Sequence, residues 1–181
     1  MKMVFCDIDG TLYRDNEQIS PLNKEALTRF RDAGGQVVYC TGRHILEMNK
    51  ILEQDGYPFD YLVLNNGGAI LDSNKETLYE KHIEQQIGLD ILQWGVDANM
   101  FVHMCDGKNS YGCFNHQSFA HSDMGNILIP DDYMTLMKES PSFQIISLNQ
   151  EDNQIDQINI IKKRIEVKYG DDVECHPNFH F

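Results

Sequence analysis

The sequence predicts an α/β protein whose first third is a parallel sheet with helical crossovers, and three observations predict it. The short apolar runs Met3-Val4-Phe5-Cys6, Val37-Val38-Tyr39-Cys40 and Tyr61-Leu62-Val63-Leu64 each break abruptly into a polar, glycine-containing segment. The stretches between them place apolar residues at helical spacing. Strand, helix, strand, helix, strand calls for right-handed crossovers and a parallel sheet, in which ligands sit outside the carboxyl ends of the strands. All three polar breaks fall at that edge.

The first break, Asp7-Ile8-Asp9-Gly10-Thr11, is the most informative. Carboxylates at i and i+2 of a continuing strand would face the same way. A turn beginning after Asp7, eased by Gly10, lets them diverge around one small site. An aspartate is a covalent nucleophile toward phosphorus. Carboxylate and phosphate are both anions, so a divalent cation is needed to screen their repulsion. The second aspartate can protonate the leaving alcohol and then deprotonate the attacking water. As a calcium loop the segment fails, because Thr11 and Leu12 stand where that loop wants another Asp or Asn and a glycine. An ordinary strand-to-turn transition draws on the same residue types and stays open at this point.

Ser20-Pro21 predicts a helix start, the hydroxyl capping free N–H groups and proline occupying the first helical position. Leu22, Ala26, Leu27 and Phe30 recur at helical spacing until Gly34-Gly35 stops the helix. The second apolar run breaks into Thr41-Gly42-Arg43 ahead of a helix carrying Ile45, Met48 and Leu52 on one face. The third breaks into Asn65-Asn66-Gly67-Gly68. Ala69-Ile70-Leu71 and Thr77-Leu78-Tyr79 flank Ser73-Asn74-Lys75, a hairpin leading out of the core. Ile83, Ile87, Ile91 and Trp94 are spaced for one helix face. Residues 101–104 and 111–114 flank Asp106-Gly107-Lys108-Asn109, a second hairpin. Pro130-Asp131-Asp132 opens a short helix with Tyr133, Met134 and Met137, residues 143–148 read as a strand, and the polar segment 149–154 as a loop. Ile155, Ile158, Ile161 and Ile165 mark a last amphipathic helix, with Gly170 at its C-terminus and Lys162 and Lys163 on its solvated face.

Taken together, Asp7-Ile8-Asp9-Gly10-Thr11, Cys40-Thr41-Gly42-Arg43 and Asn65-Asn66-Gly67 resemble the first two signature motifs and the third-strand loop of haloacid dehalogenase-like phosphatases. The match is best to the Cof-type branch, which inserts a large α+β cap after the third strand. The resemblance implies a partial Rossmann-like core from 1–80 and 173–181, with a strand at Val173-Glu174-Cys175-His176-Pro177-Asn178-Phe179 returning from a cap at 81–172. It implies Asp7 as nucleophile and magnesium ligand, and Asp9 as general acid and base that also gives its backbone carbonyl to the metal. It implies Thr41, Gly42 and Arg43 as phosphate-binding residues and Asn66 and Gly67 as substrate-binding. A hydroxyl and a free N–H at a helix start form a ready anion site, and a plain helix N-cap at Thr41 is compatible with that role. Arg43 is equally readable as a surface arginine in a helix's first turn. Mg2+ is the implied cofactor, and small phosphorylated metabolites such as sugar phosphates are the implied substrates.

The family places a lysine and a strand ending in Gly-Asp-x-x-Asn-Asp further downstream. Gly170-Asp171-Asp172 does not supply the latter, because Cys175 stands where an aspartate is wanted. The expectation is therefore a truncated chain with impaired activity. The alternatives are a non-catalytic remnant or binding module, or half of a split enzyme completed by another polypeptide. With its flanking strands absent, the first strand becomes an open edge inviting self-association.

A net charge of -13 argues against nucleic-acid binding through phosphates. No stretch approaches a membrane span and no secretory signal opens the chain, so the expected setting is cytoplasmic. Five cysteines form no metal or disulfide framework. Cys6 and Cys40 end buried strands, and Cys105 and Cys113 could face each other across the second hairpin. His103, His116 and His121 lack zinc-ligand spacing.

Overall fold

The computed structural model describes residues 2–13, 18–55, 57–113, 127–128, 142–149 and 155–175. The chain divides into two compact units between Lys81 and His82.

In the first unit β1 (Lys2–Asp7), β2 (Gly35–Cys40), β3 (Tyr61–Leu64), β4 (Ala69–Asp72) and β5 (Thr77–Glu80) form one sheet in that order. The first three are parallel, as the crossovers require. The predicted hairpin does not lead away from them: β4 and β5 continue the same sheet antiparallel, so the sheet is mixed. Asp72 closes its turn, Oδ1 accepting from Asn74 N at 2.8 Å and Glu76 N at 2.9 Å. Among the described strands β1 is paired on one side only, and Met3 and Phe5 on it are 38% and 64% exposed.

Two helices bury the apolar side chains of alternate strand positions. Helix α1 (Pro21–Asp32) starts as the sequence predicts, with Ser20 Oγ accepting from Asn23 N at 3.2 Å. Its buried stripe is narrower than predicted. Leu27 and Phe30 pack inward, whereas Leu22 is 75% exposed and Ala26 is exposed. A Cβ on Gly35 would stand 2.3 Å from the Phe30 ring, marking where α1 and β2 pass closest. Helix α2 (Ile45–Asp55) buries Met48, with Ile45, Ile51 and Leu52 against the same core as Val37, Tyr39, Leu62 and Leu64.

The second unit holds a four-stranded sheet ordered β11 (Ile145–Asn149), β7 (Phe101–Cys105), β8 (Ser110–Cys113), β9 (Ile127–Leu128), with β6 (Ile83–Glu84) paired to β10 (Ser142–Phe143). The hairpin of β7 and β8 is the predicted one, its turn held by Asp106 Oδ1 accepting from Lys108 N and Asn109 N. Its register places Cys113 opposite Val102 and Cys105 opposite Ser110, so the two cysteines do not face each other. Ile83 lies in β6 rather than on the helix, which starts at Gln85 (α3, Gln85–Asp97), because pairing with Phe143 claims it. The single strand predicted at 143–148 is two, separated at Gln144, whose N–H donates to Cys105 O at 2.8 Å.

Helix α4 (Ile155–Tyr169) buries Ile161 and Ile165 against Ile87, Ile91 and Trp94 of α3. Asp90 pins the two helices, Oδ2 accepting from Lys168 Nζ and from Tyr169 OH at 2.6 Å, while the Arg164 guanidinium lies 4.3 Å from the Trp94 ring centre. Gly170 follows α4 as predicted. Val173–Cys175 form no strand, and Val173 and Cys175 pack with the α3–α4 cluster. The rest of the expected return strand, the helix expected from Pro130, and His116 and His121 lie outside the described residues.

Candidate active site

Parallel register brings the three polar breaks together. Asp7 is the Cα partner of Cys40, and Cys40 of Val63, so the loops after β1, β2 and β3 leave the sheet at one edge. Backbone hydrogen bonds then tie the second loop to the third: Thr41 N donates to Val63 O at 2.9 Å, Asn66 N to Thr41 O at 3.2 Å and Asn65 N to Arg43 O at 3.1 Å.

After Asp7 the chain turns tightly. Tyr13 N donates to Ile8 O at 2.9 Å and Gly10 N to Tyr13 O at 2.8 Å, with Gly10 at φ 75. Ile8 drops into the core at 0% exposure while Asp7 and Asp9 on either side stay exposed. Asp7 Oδ2 accepts from the Thr11 hydroxyl at 3.1 Å. Asp9 is held from a different direction: Arg43 Nε donates to Oδ1 at 3.2 Å and Oδ2 at 3.0 Å, and Arg43 Nη2 to Oδ1 at 2.7 Å.

The second loop departs from the sequence reading in one respect. Helix α2 begins at Ile45, not at Gly42, so Thr41 is not its N-cap. That place falls to His44, whose carbonyl accepts from Met48 N at 3.1 Å and whose Nδ1 accepts from Leu46 N at 3.2 Å. Thr41 is buried, and its Oγ1 accepts from Arg43 N at 3.1 Å. With a lone pair so used, the hydroxyl proton remains to donate to a ligand. The third loop carries a run of left-handed residues, Asn65 and Asn66 at φ 53 and Gly67 at φ 99. The side-chain oxygen of Asn66 closes on Gly42.

The electrostatics divide sharply. His44 is 2% exposed, and burial, reinforced by the Arg43 charge, lowers its pKa to about 4, so it is neutral at pH 7. Burial raises the Cys6 and Cys40 thiols, with Asp7 adding to the rise at Cys40, so both stay protonated. The site therefore sets two exposed carboxylates against one guanidinium.

Of the residues singled out from sequence, Asp7, Asp9, Thr41, Gly42, Arg43 and Asn66 stand in one connected loop cluster, and Gly67 completes its left-handed turn. Thr11, His44 and Asn65 were not assigned roles. A hydroxyl four positions after Asp7 and a hydrogen-bonding ring just before an apolar helix run are the signals that point to the first two.

The sequence profile of the haloacid dehalogenase-like hydrolases matches residues 4–181. The chain is 27% identical over 124 residues to the 5-amino-6-(5-phospho-D-ribitylamino)uracil phosphatase YwtE of Bacillus subtilis (strain 168), covering 68% of this chain and 42% of that protein. It is 31% identical over 103 residues to the HMP-PP phosphatase of Yersinia pestis (strain Pestoides F), covering 56% of this chain and 37% of that one. It thus spans less than half the length of either enzyme. Its fold matches that of a haloacid dehalogenase-like hydrolase from B. subtilis with a TM-score of 0.79 at 22% identity, over 93% of this chain and 67% of the other.

Proposed function

Because this chain belongs to the haloacid dehalogenase-like hydrolase family, in its Cof-type branch, we propose that its loop cluster hydrolyses small phosphate esters through an aspartyl-phosphate on Asp7. The observation that supports this best is the placing of Asp7, Asp9 and Thr41 on loops that leave one edge of the sheet. Asp7 has a carboxylate oxygen without a hydrogen bond among the described residues and can attack phosphorus, forming the acyl-phosphate as the ester oxygen leaves. Asp9 gives the leaving oxygen its proton and takes one from the water that then cleaves the acyl-phosphate. The Thr41 hydroxyl and the Gly42 N–H, which donates to no described residue, would hold the transferring oxygens.

Magnesium is usual in this family. Among the described residues no group of three or more His, Cys, Asp or Glu side chains is placed to hold a metal. Magnesium demands a nearly octahedral oxygen shell. The described donors do not make one, and no step above runs through it.

The substrate class would be a small phosphorylated metabolite such as a sugar or polyol phosphate, in keeping with the phospho-ribityl compound in the name of one relative. No described helix is long and apolar enough to cross a membrane, and a charge of -13 disfavours nucleic acid as a partner. A second reading, half of a split enzyme, has one observation in its favour: the side of β1 that no described strand pairs could receive a strand from another polypeptide. The experiment is a panel of such esters assayed with magnesium beside Asp7→Asn. Slow phosphate release that vanishes in Asp7→Asn is expected, and release that survives the substitution would overturn the proposal.

A further inference from the structure

We propose that Arg43 is a positioning residue for Asp9, its Nε and Nη2 engaged by that carboxylate. The catalytic meaning rests on the phosphatase reading, whereas the pairing rests on geometry alone. Nε and Nη2 of the guanidinium reach both Asp9 oxygens, at 2.7 to 3.2 Å. A planar fork meeting both oxygens fixes the carboxylate in rotation as well as in distance. A lysine, a point charge on a flexible stem, would fix distance only. The pair joins residues 34 positions apart, from the loop after β1 to the loop after β2, so it is no by-product of local chain geometry.

Stability does not explain it. The two side chains are 40% and 53% exposed, a setting in which ion pairs contribute little. What the chain invests in is the backbone of Arg43. Its N–H donates to Thr41 Oγ1 at 3.1 Å, and its carbonyl accepts from Asn65 N at 3.1 Å. Asn65 opens the left-handed run at Asn65, Asn66 and Gly67, a conformation that asparagine and glycine tolerate best. That loop anchors Arg43, and Arg43 in turn orients Asp9.

The consequence is a division of labour between two carboxylates two positions apart. Among the described residues the Asp7 carboxylate receives one hydrogen bond, from Thr11, and keeps an oxygen open for attack. Asp9 is held by its fork in a fixed orientation, as a group must be that meets first a leaving oxygen and then a water at one place.

The test is NMR on the full chain labelled with 13C and 15N, in wild type, Asp9→Asn and Arg43→Lys, each titrated with inorganic phosphate. The Arg43 Nε–H resonance is expected to shift and lose its protection from solvent exchange in Asp9→Asn. Asp9 Cγ is expected to shift in Arg43→Lys while Asp7 Cγ and the backbone amides stay in place. Phosphate is expected to move the Thr41 and Gly42 amides and leave Arg43 Nε–H where it was. An Arg43 Nε–H that ignores Asp9→Asn, or that follows phosphate, would overturn the proposal. Thr41 and Gly42 amides unmoved by phosphate would instead count against the phosphate site, with the pairing still decided by the two variants.

Discussion

The side-chain oxygen of Asn66 lies 3.0 Å from the point where a Cβ on Gly42 would stand. The loop after β3 therefore closes on the loop after β2 through a contact tight enough that a side chain at position 42 would have to push Asn66 aside. Gly42→Ala is expected to displace Asn66 and cost about 1–3 kcal/mol of stability, the usual range for overpacking. Asn66→Gly removes the obstacle and suits the left-handed φ of 53. In the double variant the two effects are expected to couple by at least about 0.5 kcal/mol in urea unfolding. Strict additivity would contradict the contact.

Much of this arrangement was legible in the sequence, and the residues show why the rest was not. Three apolar runs broken by polar segments gave β1 to β3 and their shared edge, because a parallel strand must be buried and its loop must not. Ile83 reads as helical because an isoleucine fits a helix stripe and a strand equally well, and only Phe143, 60 positions away, decides between them. A threonine before a glycine is readable as a helix cap, while the hydrogen bonds that select His44 are invisible in one dimension. Arg43 reads in sequence as a phosphate ligand or a surface residue. Its engagement with Asp9 depends on the register of two parallel strands, which no local pattern encodes.

His44 makes stability depend on pH. Its folded pKa of about 4 lies below its ordinary value, so between those values the unfolded chain binds a proton that the folded chain refuses. Stability contributed by the neutral ring is fully present above pH 6.5 and is lost as pH falls toward 4. The loss from pH 7.5 to 4.5 is expected to be about 2.5 kcal/mol. Urea unfolding at the two pH values, beside His44→Asn, checks this. Asparagine keeps an acceptor for Leu46 N without titrating, so that variant should lack the His44 part of the pH slope, and an unchanged slope would contradict the assignment.

The α3 glycines set the distance between helix and sheet in the second unit. A Cβ on Gly88 would stand 2.5 Å from the Phe143 ring, and one on Gly95 would stand 2.6 Å from Val102 Cγ2. Alanine gains up to about 1 kcal/mol in helix propensity, but overpacking against a buried ring costs about 1–3 kcal/mol. Gly88→Ala is expected to lower the thermal midpoint, and Gly88→Ala with Phe143→Leu to recover part of it. A rise in the midpoint for the single variant would show that the helix can move aside.

β1 carries Phe5, 64% exposed on a face of the sheet, and the far N–H and C=O groups of the strand pair with no described strand. Edges of this kind recruit further strands. Light scattering is expected to give a mass that rises with concentration for the wild type and a lower, constant mass for Phe5→Lys. A wild-type mass constant at one chain would count against association through β1.

The most direct test of Asp7 as the nucleophile is chemical. Acetyl phosphate is mixed with the chain and magnesium, the reaction is quenched in acid, and borohydride reduces any acyl-phosphate to the alcohol before peptide mass spectrometry. Homoserine at position 7, absent when Asp7→Asn is treated alike, is the expected result. An unreduced Asp7, or reduction at another carboxylate that persists in Asp7→Asn, would contradict it.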